Sequence, residues 1–274
     1  MPANLSSATA PGQAPRRTAW QVQRSVIFAV VLREMMARVG GQWVGAIWTL
    51  FEPLAHVGIL MAWISLARGS SSAAIEYPVF LATGLIPFFF FQKLVTRLLD
   101  GIEANRSLFS YRQVKPIDAL VGRAIVEALM NMTVYAVTLC MLAFLGFNVI
   151  PAAPLEMIGI NLMIMLFGFS FGLLTAVLSH DRERLRSVIR MIFFPLYLAS
   201  GVIFSVDNLP RDYIEWLLWN PLLHLVELSR HSFITAYRPV DGVNAWYPAA
   251  WILVCAALGM GLYRVNRFRL LTVK

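Results

Sequence analysis

Long apolar segments, each close to the length of a membrane-spanning helix, take up nearly half of this chain of 274 residues. A spanning helix needs about 20 consecutive apolar residues, because no water is available inside a bilayer to bond free backbone groups. Hydrophobic residues make up 58% of the sequence and charged residues only 14%, whereas about a quarter of the residues in soluble domains are charged. The sequence therefore predicts an all-α, polytopic membrane protein.

Six apolar segments predict six transmembrane helices, which lie at 45–67, 77–99, 124–147, 157–178, 188–204 and 247–263. They belong to one membrane domain over residues 45–267. Residues 20–44 are too charged to span the bilayer, and we expect a helix there that lies in the cytoplasmic interface. Residues 1–19 are rich in Ala, Ser and Pro and are expected to be disordered. Residues 268–274 form a cytoplasmic tail.

Basic residues are concentrated in alternate segments between the apolar runs and give the chain a net charge of +8. This positive-inside pattern predicts that both termini, the loop at 100–123 and the turn at 179–190 are cytoplasmic. Because these charges would meet anionic headgroups, we expect membrane lipids and not nucleic acid as their partners. The two cysteines lie in apolar runs and no cluster of Cys and His has ligand spacing, so no metal site is predicted.

Residues 205–246 form the longest segment outside the predicted spans and are apolar enough to suggest a seventh crossing. In such a crossing Glu227 and Arg230 would lie in hydrocarbon, and Asn220-Pro221 would break the helix near its start. It would also move the basic tail to the outside, against the bias of the other segments. We therefore predict a re-entrant outer segment that bends near Pro221, with Glu227 and Arg230 paired at three-residue spacing.

Three residues inside the predicted spans are unusual for a bilayer, namely Glu52 and Pro53 in the first span and Pro87 in the second. A carboxylate at this depth is costly unless it faces protein or water. A hydrogen-bonded Glu52 that holds helices together at a proline kink is slightly favoured over a carboxylate that lines a pathway. A structural role is therefore expected for these residues.

The segment from Asn105 to Glu127 is basic and also presents Phe109 and Tyr111 among its charges. Exposed aromatic residues rimmed by charge are typical of contact surfaces. A solvated cytoplasmic loop whose Phe109 packs against lipid headgroups explains the same residues. Both interpretations stay open on these residues alone.

The stretch GFSFG at 168–172 matches the G-x-S-x-G pattern of serine hydrolases. An intramembrane serine protease would use Ser170 with a histidine such as His224 or His231. The hydrolase pattern requires a strand before the serine and a sharp turn at it, whereas here it lies in a continuous apolar run. Glycines four residues apart are typical of close helix packing, which is the favoured interpretation. The chain has no P-loop pattern, so any nucleotide would be bound by another chain.

Four stretches resemble the membrane subunits of ABC exporters that move polysaccharide out of Gram-negative cells. They are GAIWTLFEPLAHV from Gly45, FLATGLIPFFFF from Phe80, NRSLFSYRQVKPIDALVGRAIVE from Asn105 and NPLLHLVELSR from Asn220. The sequence is most similar to the capsular-polysaccharide branch, the KpsM-like permeases, over about residues 23–274. The third stretch is specific, whereas the apolar spans alone would not be.

The resemblance implies a permease subunit of an ATP-driven exporter that moves lipid-linked capsular polysaccharide across the inner membrane. Two copies would pair as a homodimer around a polymer channel, and each would dock one copy of a cytosolic ATPase subunit. The chain would then be no enzyme and would bind no cofactor, because ATP and Mg²⁺ belong to the ATPase. An inner-membrane co-polymerase and an outer-membrane channel would continue the path. The alternatives are an O-antigen or teichoic acid export permease of the same fold, and an intramembrane serine protease using Ser170.

The resemblance also implies a docking surface for the ATPase, which includes the loop after the second span, and a gate in the outer segment. The candidate coupling residues are Asn105, Leu108, Phe109, Tyr111 and Lys115. The candidate outer-gate residues are Asn220, Pro221, Glu227 and Arg230.

Two further sets follow from the chemistry of an acidic sugar polymer, because aromatic rings stack on sugar faces and basic residues attract an anionic anchor. The candidate channel-wall residues are Trp43, Trp48, Phe51, Phe88, Phe89 and Tyr197. The candidate entry residues for the anchor are Arg38, Arg106 and Arg112. Pairing with lipid phosphates explains these basic residues equally well.

Overall fold

Helices account for the regular structure of the described chain. The computed structural model describes residues 18–39, 47–48, 51, 54–60, 62–63, 76–111 and 113–271. In chain order the helices are α1 (Ala19–Val39), α2 (Tyr77–Leu99), α3 (Pro116–Phe144), α4 (Pro154–Leu178), α5 (Glu183–Ala199), α6 (Arg211–Leu217), α7 (Pro221–Phe233) and α8 (Trp246–Leu271). A helical turn lies at Gly101–Ala104, and 3₁₀ turns lie at Arg106–Ser110 and Val206–Asn208. No strand occurs within these ranges, which confirms the all-α fold.

Among the described residues, four helices are long and apolar enough to cross a membrane, namely α2, α3, α4 and α8. The predicted first span at 45–67 is described only in short pieces, which are helical, and Glu52 and Pro53 lie outside the described residues. The predicted fifth span overlaps α5, a helix of 17 residues. The arrangement is compatible with six spans, and that count stays a prediction.

The N-terminal boundary of α3 differs from the predicted one. The helix begins at Pro116, where sequence analysis placed the third span at 124–147 after a loop at 100–123. Pro116 suits the first turn, because its fixed φ angle is already helical and its missing N–H has no partner to lose. The Asp118 carboxylate accepts the backbone N–H of Lys115 at 2.9 Å and so caps the helix.

The ends of α5 and α8 also differ from the predicted spans. α5 ends at Ala199 and not at 204, because Gly201 adopts a φ of 62° that continues no right-handed helix. A Cβ on Gly201 would lie 2.5 Å from the Val206 side chain, so the turn also requires glycine for space. α8 continues to Leu271, past the predicted end at 263 and into the predicted tail.

α2 lies at the centre of the described helices. In its most apolar window 78% of the residues are buried, against 17% for α8. Its neighbours are α3, α4, α5 and α7. Pro87 lies inside this helix and is buried. α2 therefore connects the turn at 100–115 with the outer segment through the core.

The outer segment at 205–246 folds into two short helices, α6 and α7, that meet near Pro221. Asn220 caps α7 by accepting the Leu222 N–H at 3.0 Å, and Pro221 occupies the first turn. α7 packs against α2, α4 and α8, and most of its residues are buried. The break predicted at Asn220-Pro221 is therefore present, while the entry of this segment into the outer leaflet stays a prediction.

Candidate functional site

The turn between α2 and α3, which we call the docking turn (residues 100–115), is held to α1 by buried polar contacts. Asn105 is fully buried; its Nδ2 donates to the Gly101 carbonyl at 2.9 Å, and its Oδ1 accepts from the Arg33 guanidinium of α1. At the other end of the turn, the Asp118 carboxylate also accepts from the Gln23 amide of α1. α1 and the docking turn therefore form one unit.

The predicted coupling residues differ in exposure. Tyr111 is 67% exposed, and Lys115 is also exposed. Phe109 is partly buried and packs against the main core, so it contributes to the fold as well as to the surface. Leu108 lines a cleft of about 430 Å³ between α1 and the turn. Arg112 lies outside the described residues.

Ion pairs join α1 to α3. Arg38 donates to Glu127 at 2.8 Å, and Arg123 lies 3.4 Å from the Glu34 carboxylate. Arg123 also donates to the Arg97 carbonyl at 3.0 Å. The Arg38 side chain is mostly buried in this pair, so it is held by the protein and not presented to solvent. Arg106 is partly exposed on the docking turn.

A second set of ion pairs joins the docking turn to α5. Arg190 donates to both carboxylate oxygens of Asp100, at 2.6 and 2.8 Å. The Arg186 guanidinium makes a bidentate contact with Glu103. Hydrogen bonds from Arg186 lower the pKa of the Glu103 carboxyl below its ordinary value. The turn is therefore linked electrostatically to the helix that overlaps the predicted fifth span.

Three elements contribute to an aromatic cluster in the membrane domain. Phe88 and Phe89 of α2 lie 5.2 and 6.1 Å, centroid to centroid, from Tyr197 of α5. His56, in the helical stretch at 54–60, contacts the Phe89 ring edge-on at 5.2 Å, and its Nε2 lies 3.2 Å from the Tyr197 hydroxyl. Three predicted channel-wall residues are thus brought together, although Phe88 is buried.

The remaining predicted wall residues are not part of this cluster. Trp48 and Phe51 are neighbours, with ring centroids 5.9 Å apart, and both are more than half exposed. Trp43 lies outside the described residues.

The outer segment contains a buried ion pair, which with its partners we call the outer network. Arg230 and Glu227 are both fully buried and lie 3.2 Å apart, as their spacing predicted. Tyr237 donates to the Glu227 carboxylate at 2.8 Å, and Arg230 donates to the Val202 carbonyl at 2.7 Å. The Arg230 guanidinium also covers the ring of Phe80 in α2 at 3.7 Å. The network thus fastens α7 to α2 and to the end of α5.

Gly84 allows Arg230 of α7 to lie directly against the backbone of α2. A Cβ on Gly84 of α2 would lie 2.6 Å from Arg230 Nη2 and 3.2 Å from the Val202 carbonyl. One further contact is made by Ser229, which donates to the Thr83 carbonyl at 3.0 Å. α2 therefore contacts the docking turn at one end and the outer network at the other.

Comparison with known proteins assigns this architecture to a family. The family model described as ABC-2 type transporter matches residues 25–234, from α1 through α7. The chain belongs to this family. The matched residues include the docking turn and the Glu227–Arg230 pair, while Tyr237 and α8 lie beyond them.

Relatives of this ABC-2 protein cover nearly its whole length. It is 34% identical over 256 residues to the polysialic acid transport protein KpsM of Escherichia coli, covering 93% of this chain and 99% of that protein. It is 27% identical over 253 residues to the capsule polysaccharide export inner-membrane protein CtrC of Neisseria meningitidis, covering 90% and 92% of the two chains. The O-antigen export system permease protein RfbA of Myxococcus xanthus is 20% identical over 242 residues, covering 87% and 88%.

The serine pattern of this ABC-2 protein serves helix packing. Ser170 lies inside α4, and a Cβ on Gly168 or Gly172 would lie 2.9 or 2.6 Å from a leucine of α2. His224 and His231 each bond to backbone groups of the outer segment, at 2.9 Å in both cases. The close-packing interpretation of GFSFG is therefore confirmed.

Several residues that position these sites had not been singled out from the sequence. Asp118 follows Lys115 by three residues, which is the spacing of a capping box and is a usable local signal. Arg33 and Tyr237 have no such signal, because their partners Asn105 and Glu227 are reached only after the chain folds. Gly84 is likewise explained only by Arg230.

Proposed function

We propose that this ABC-2 protein is the permease subunit of an ATP-driven exporter that moves lipid-linked capsular polysaccharide across the Gram-negative inner membrane. The observation that carries the proposal is its identity of 34% to the E. coli polysialic acid transport protein over 93% of the chain. The match to capsule export proteins is stronger than the match to the O-antigen permease, at 20% identity. A capsular polymer is therefore preferred to O-antigen as the substrate.

The docking turn is the proposed contact with a separate ATPase subunit, which would bind ATP and Mg²⁺. The turn presents an exposed tyrosine and an exposed lysine, and its Leu108 lines an apolar cleft of about 430 Å³, which together have the chemistry of a docking surface. The buried Asn105 fixes the turn to α1. Because the turn also follows α2 directly in the chain, a displacement of this surface by the ATPase would be transmitted to both helices. The turn at Arg106–Ser110 is the proposed coupling helix.

The proposed polymer path runs past the aromatic cluster of His56, Phe88, Phe89 and Tyr197. Aromatic faces stack on sugar rings with little dependence on the sugar's identity, as they do on nucleic-acid bases. The neighbouring elements leave large side chains uncovered, among them Trp63 at 71% and Phe194 at 72% exposure. Lipid covers such side chains as well as protein does, so the homodimer is proposed from the resemblance to exporter subunits that pair around a channel.

The outer network is the proposed gate at the far end of this path. Its ion pair is fully buried and holds α7 against α2. With positive segments on the cytoplasmic side, the docking turn and both termini lie in the cytosol. An inner-membrane co-polymerase and an outer-membrane channel are the proposed partners that receive the polymer.

Tyr111→Asp tests the docking surface, with Tyr213→Asp as the matched control. Tyr213 is 62% exposed and lies on α6 in the outer segment, so the control adds the same charge at the opposite end. A buried, unpaired charge at an interface costs about 2–5 kcal/mol. We expect Tyr111→Asp to lose copurification with the proposed ATPase subunit and to abolish capsule export, while Tyr213→Asp retains the complex.

The measurement is the amount of ATPase recovered with the tagged permease and the amount of capsule at the cell surface. Membrane insertion, measured by protease accessibility, should be unchanged in both variants. Normal recovery of the ATPase with Tyr111→Asp would show that the docking surface lies elsewhere. Phe109→Asp is a poorer probe, because Phe109 packs against the core.

A further inference from the structure

His224 of α7 is 3% exposed and bonds to backbone groups on both sides of its ring. Its Nε2 lies 2.9 Å from the carbonyl oxygen of Leu218, the C-cap residue of α6. Its Nδ1 accepts the backbone N–H of Asn244 at 3.0 Å. The ring of Tyr247, in the first turn of α8, has its centroid 4.9 Å away. His224 therefore joins the end of α6, helix α7 and the segment that leads into α8.

The two bonds fix which nitrogen of the His224 ring carries the hydrogen. A backbone N–H only donates, so Nδ1 must offer its lone pair to Asn244. A carbonyl only accepts, so Nε2 must carry the hydrogen and donate it to Leu218. A proton added at Nδ1 would set two N–H groups against each other. The bond to Asn244 would then be lost, whereas the bond to Leu218 would persist.

The segment between α7 and α8 depends on this bond. Two of its backbone N–H groups bond to α7, that of Val240 to the Glu227 carboxylate at 3.4 Å and that of Asn244 to His224 at 3.0 Å. The Asn244 side chain in turn accepts the backbone N–H of Tyr247 at 2.8 Å. Loss of the His224 bond would therefore release the residue that holds the first turn of α8.

Within the described residues, no charged side chain forms an ion pair or hydrogen bond with the His224 ring. The ionisable group in contact with it is the Tyr247 ring of α8. The charged side chains on the outer elements that contact the ring are Arg211, Asp212 and Glu215 of α6, Glu227 and Arg230 of α7, and Arg238 and Asp241 of the segment before α8. Of these, Glu227 and Arg230 are buried and bond to each other, and the rest are exposed. Proton binding at the ring itself, and not the loss of an ion pair, is therefore what would open the bond to Asn244.

We propose that His224 is a positioning residue whose neutral ring clasps the segment before α8 to α7, and that proton binding at Nδ1 opens this clasp. Histidine is the side chain whose ordinary change of charge lies between about pH 5 and pH 8, so the clasp would respond to moderate acidity. A loosening of the outer gate by acid would rest on the function proposed above. The clasp itself rests only on the contacts of the fold.

His231, on the same helix, offers a matched control. Its Nδ1 lies 2.9 Å from the Tyr237 carbonyl oxygen, so this nitrogen carries the hydrogen and donates it. A carbonyl accepts from a neutral ring and from a protonated ring alike, so this bond survives protonation. His231 is also exposed, whereas His224 is buried. The two histidines therefore differ in what a proton does to their bonds.

The test measures amide hydrogen exchange of the full-length protein in nanodiscs at about pH 7.5 and about pH 5.5, with times scaled for the intrinsic effect of pH on exchange. His224→Asn places an oxygen that does not titrate at the position of Nδ1, and His231→Gln is the control. At the lower pH we expect the protection of the Asn244 amide to fall about tenfold in wild type and in His231→Gln. It should stay unchanged in His224→Asn.

The same fall in His224→Asn as in wild type would overturn the proposal, since Glu227 is present in every protein compared. No fall in wild type would overturn it as well. Nitrogen-15 NMR of the histidines in wild type gives a second readout, with the His224 signals assigned by their absence from His224→Gln. We expect hydrogen on Nε2 and none on Nδ1 at about pH 7.5, and the reverse would contradict the clasp. Neither readout uses transport, so a failure of the clasp would leave the proposed export function standing.

Discussion

The two ends of the molecule hold their charges in different ways. At the docking turn, Glu103 pairs with Arg186 and Asp100 with Arg190, and three of these four side chains are more than 40% exposed. In the outer network, Glu227 and Arg230 pair at 0% exposure, with Tyr237 and a backbone carbonyl as further partners. The ion pairs between the docking turn and α5 are therefore screened by water and salt, whereas the buried pair of the outer network is not.

The two kinds of ion pair differ in what it costs to break them. Exposed ion pairs contribute about 0–1 kcal/mol each, so those at the docking turn can rearrange when a partner binds. Removing one member of a buried pair leaves an uncompensated charge in a medium of low dielectric constant. The outer network therefore holds α7 to α2 through a desolvated pair, whereas the docking turn is held to α1 by the buried Asn105 and only weakly to α5 by its exposed ion pairs.

The largest expected effect comes from breaking the buried pair. Arg230→Met should lower the free energy of unfolding by about 3–5 kcal/mol, because Glu227 would remain buried without its partner. Replacing both residues, as Glu227→Leu with Arg230→Met, should restore much of this loss. Thermal unfolding of the purified protein in detergent measures both effects. Arg211→Met, at an exposed position of α6, is the control and should change little.

The comparison of the two ends would fail if Arg230→Met were as stable as Arg211→Met. The buried ion pair would then contribute no more to the free energy of unfolding than an exposed ion pair does. A double variant less stable than Arg230→Met would show that the pair stabilises the fold directly.

An intermediate effect is expected from Gly84→Ala. The added methyl group would lie 2.6 Å from Arg230 Nη2 and close to the Val202 carbonyl, so the outer network must shift to admit it. Overpacking of this kind costs about 1–3 kcal/mol. Gly159→Ala in α4 is the matched control, since a Cβ there meets nothing within 4 Å. The same unfolding assay should show a loss for the first variant only; equal stability of the two would indicate a loosely packed network.

The smallest expected effect is a pH dependence at the docking turn. Arg186 lowers the pKa of Glu103 below its ordinary value of 4.5. A carboxyl with a lowered pKa stabilises the folded state above its unfolded pKa, and this contribution is lost as the pH falls below about 4.5. Because the Glu103 side chain is 42% exposed, we expect at most about 1 kcal/mol.

Glu103→Gln should therefore remove a small part of the loss of thermal stability between about pH 5 and pH 3. Glu215→Gln, which changes an exposed glutamate of α6, should leave that loss unchanged. Added salt should reduce the difference between wild type and Glu103→Gln, because the pair is screened. A pH dependence that is identical in all three proteins would contradict the contribution assigned to this pair.

Local patterns were enough for part of the candidate site. The pairing of Glu227 with Arg230 followed from residues three apart on one helix, and the break at Pro221 followed from proline chemistry. The exposure of individual side chains could not be predicted from such local patterns. Phe109 and Tyr111 have similar sequence surroundings, yet one packs on the core and the other is exposed. Arg38, predicted to receive an anionic anchor, is held by Glu127.

By itself the sequence determined an all-α membrane protein with a polar, basic segment after the second apolar run. The physical reason is that a bilayer imposes length and hydropathy on each helix separately, so these properties are written locally. Three features are visible only in the folded chain: α2 is the central helix, Asn105 bonds to Arg33 and Tyr237 bonds to Glu227. Such contacts join distant parts of the chain, and they depend on how helices pack, which no local pattern specifies.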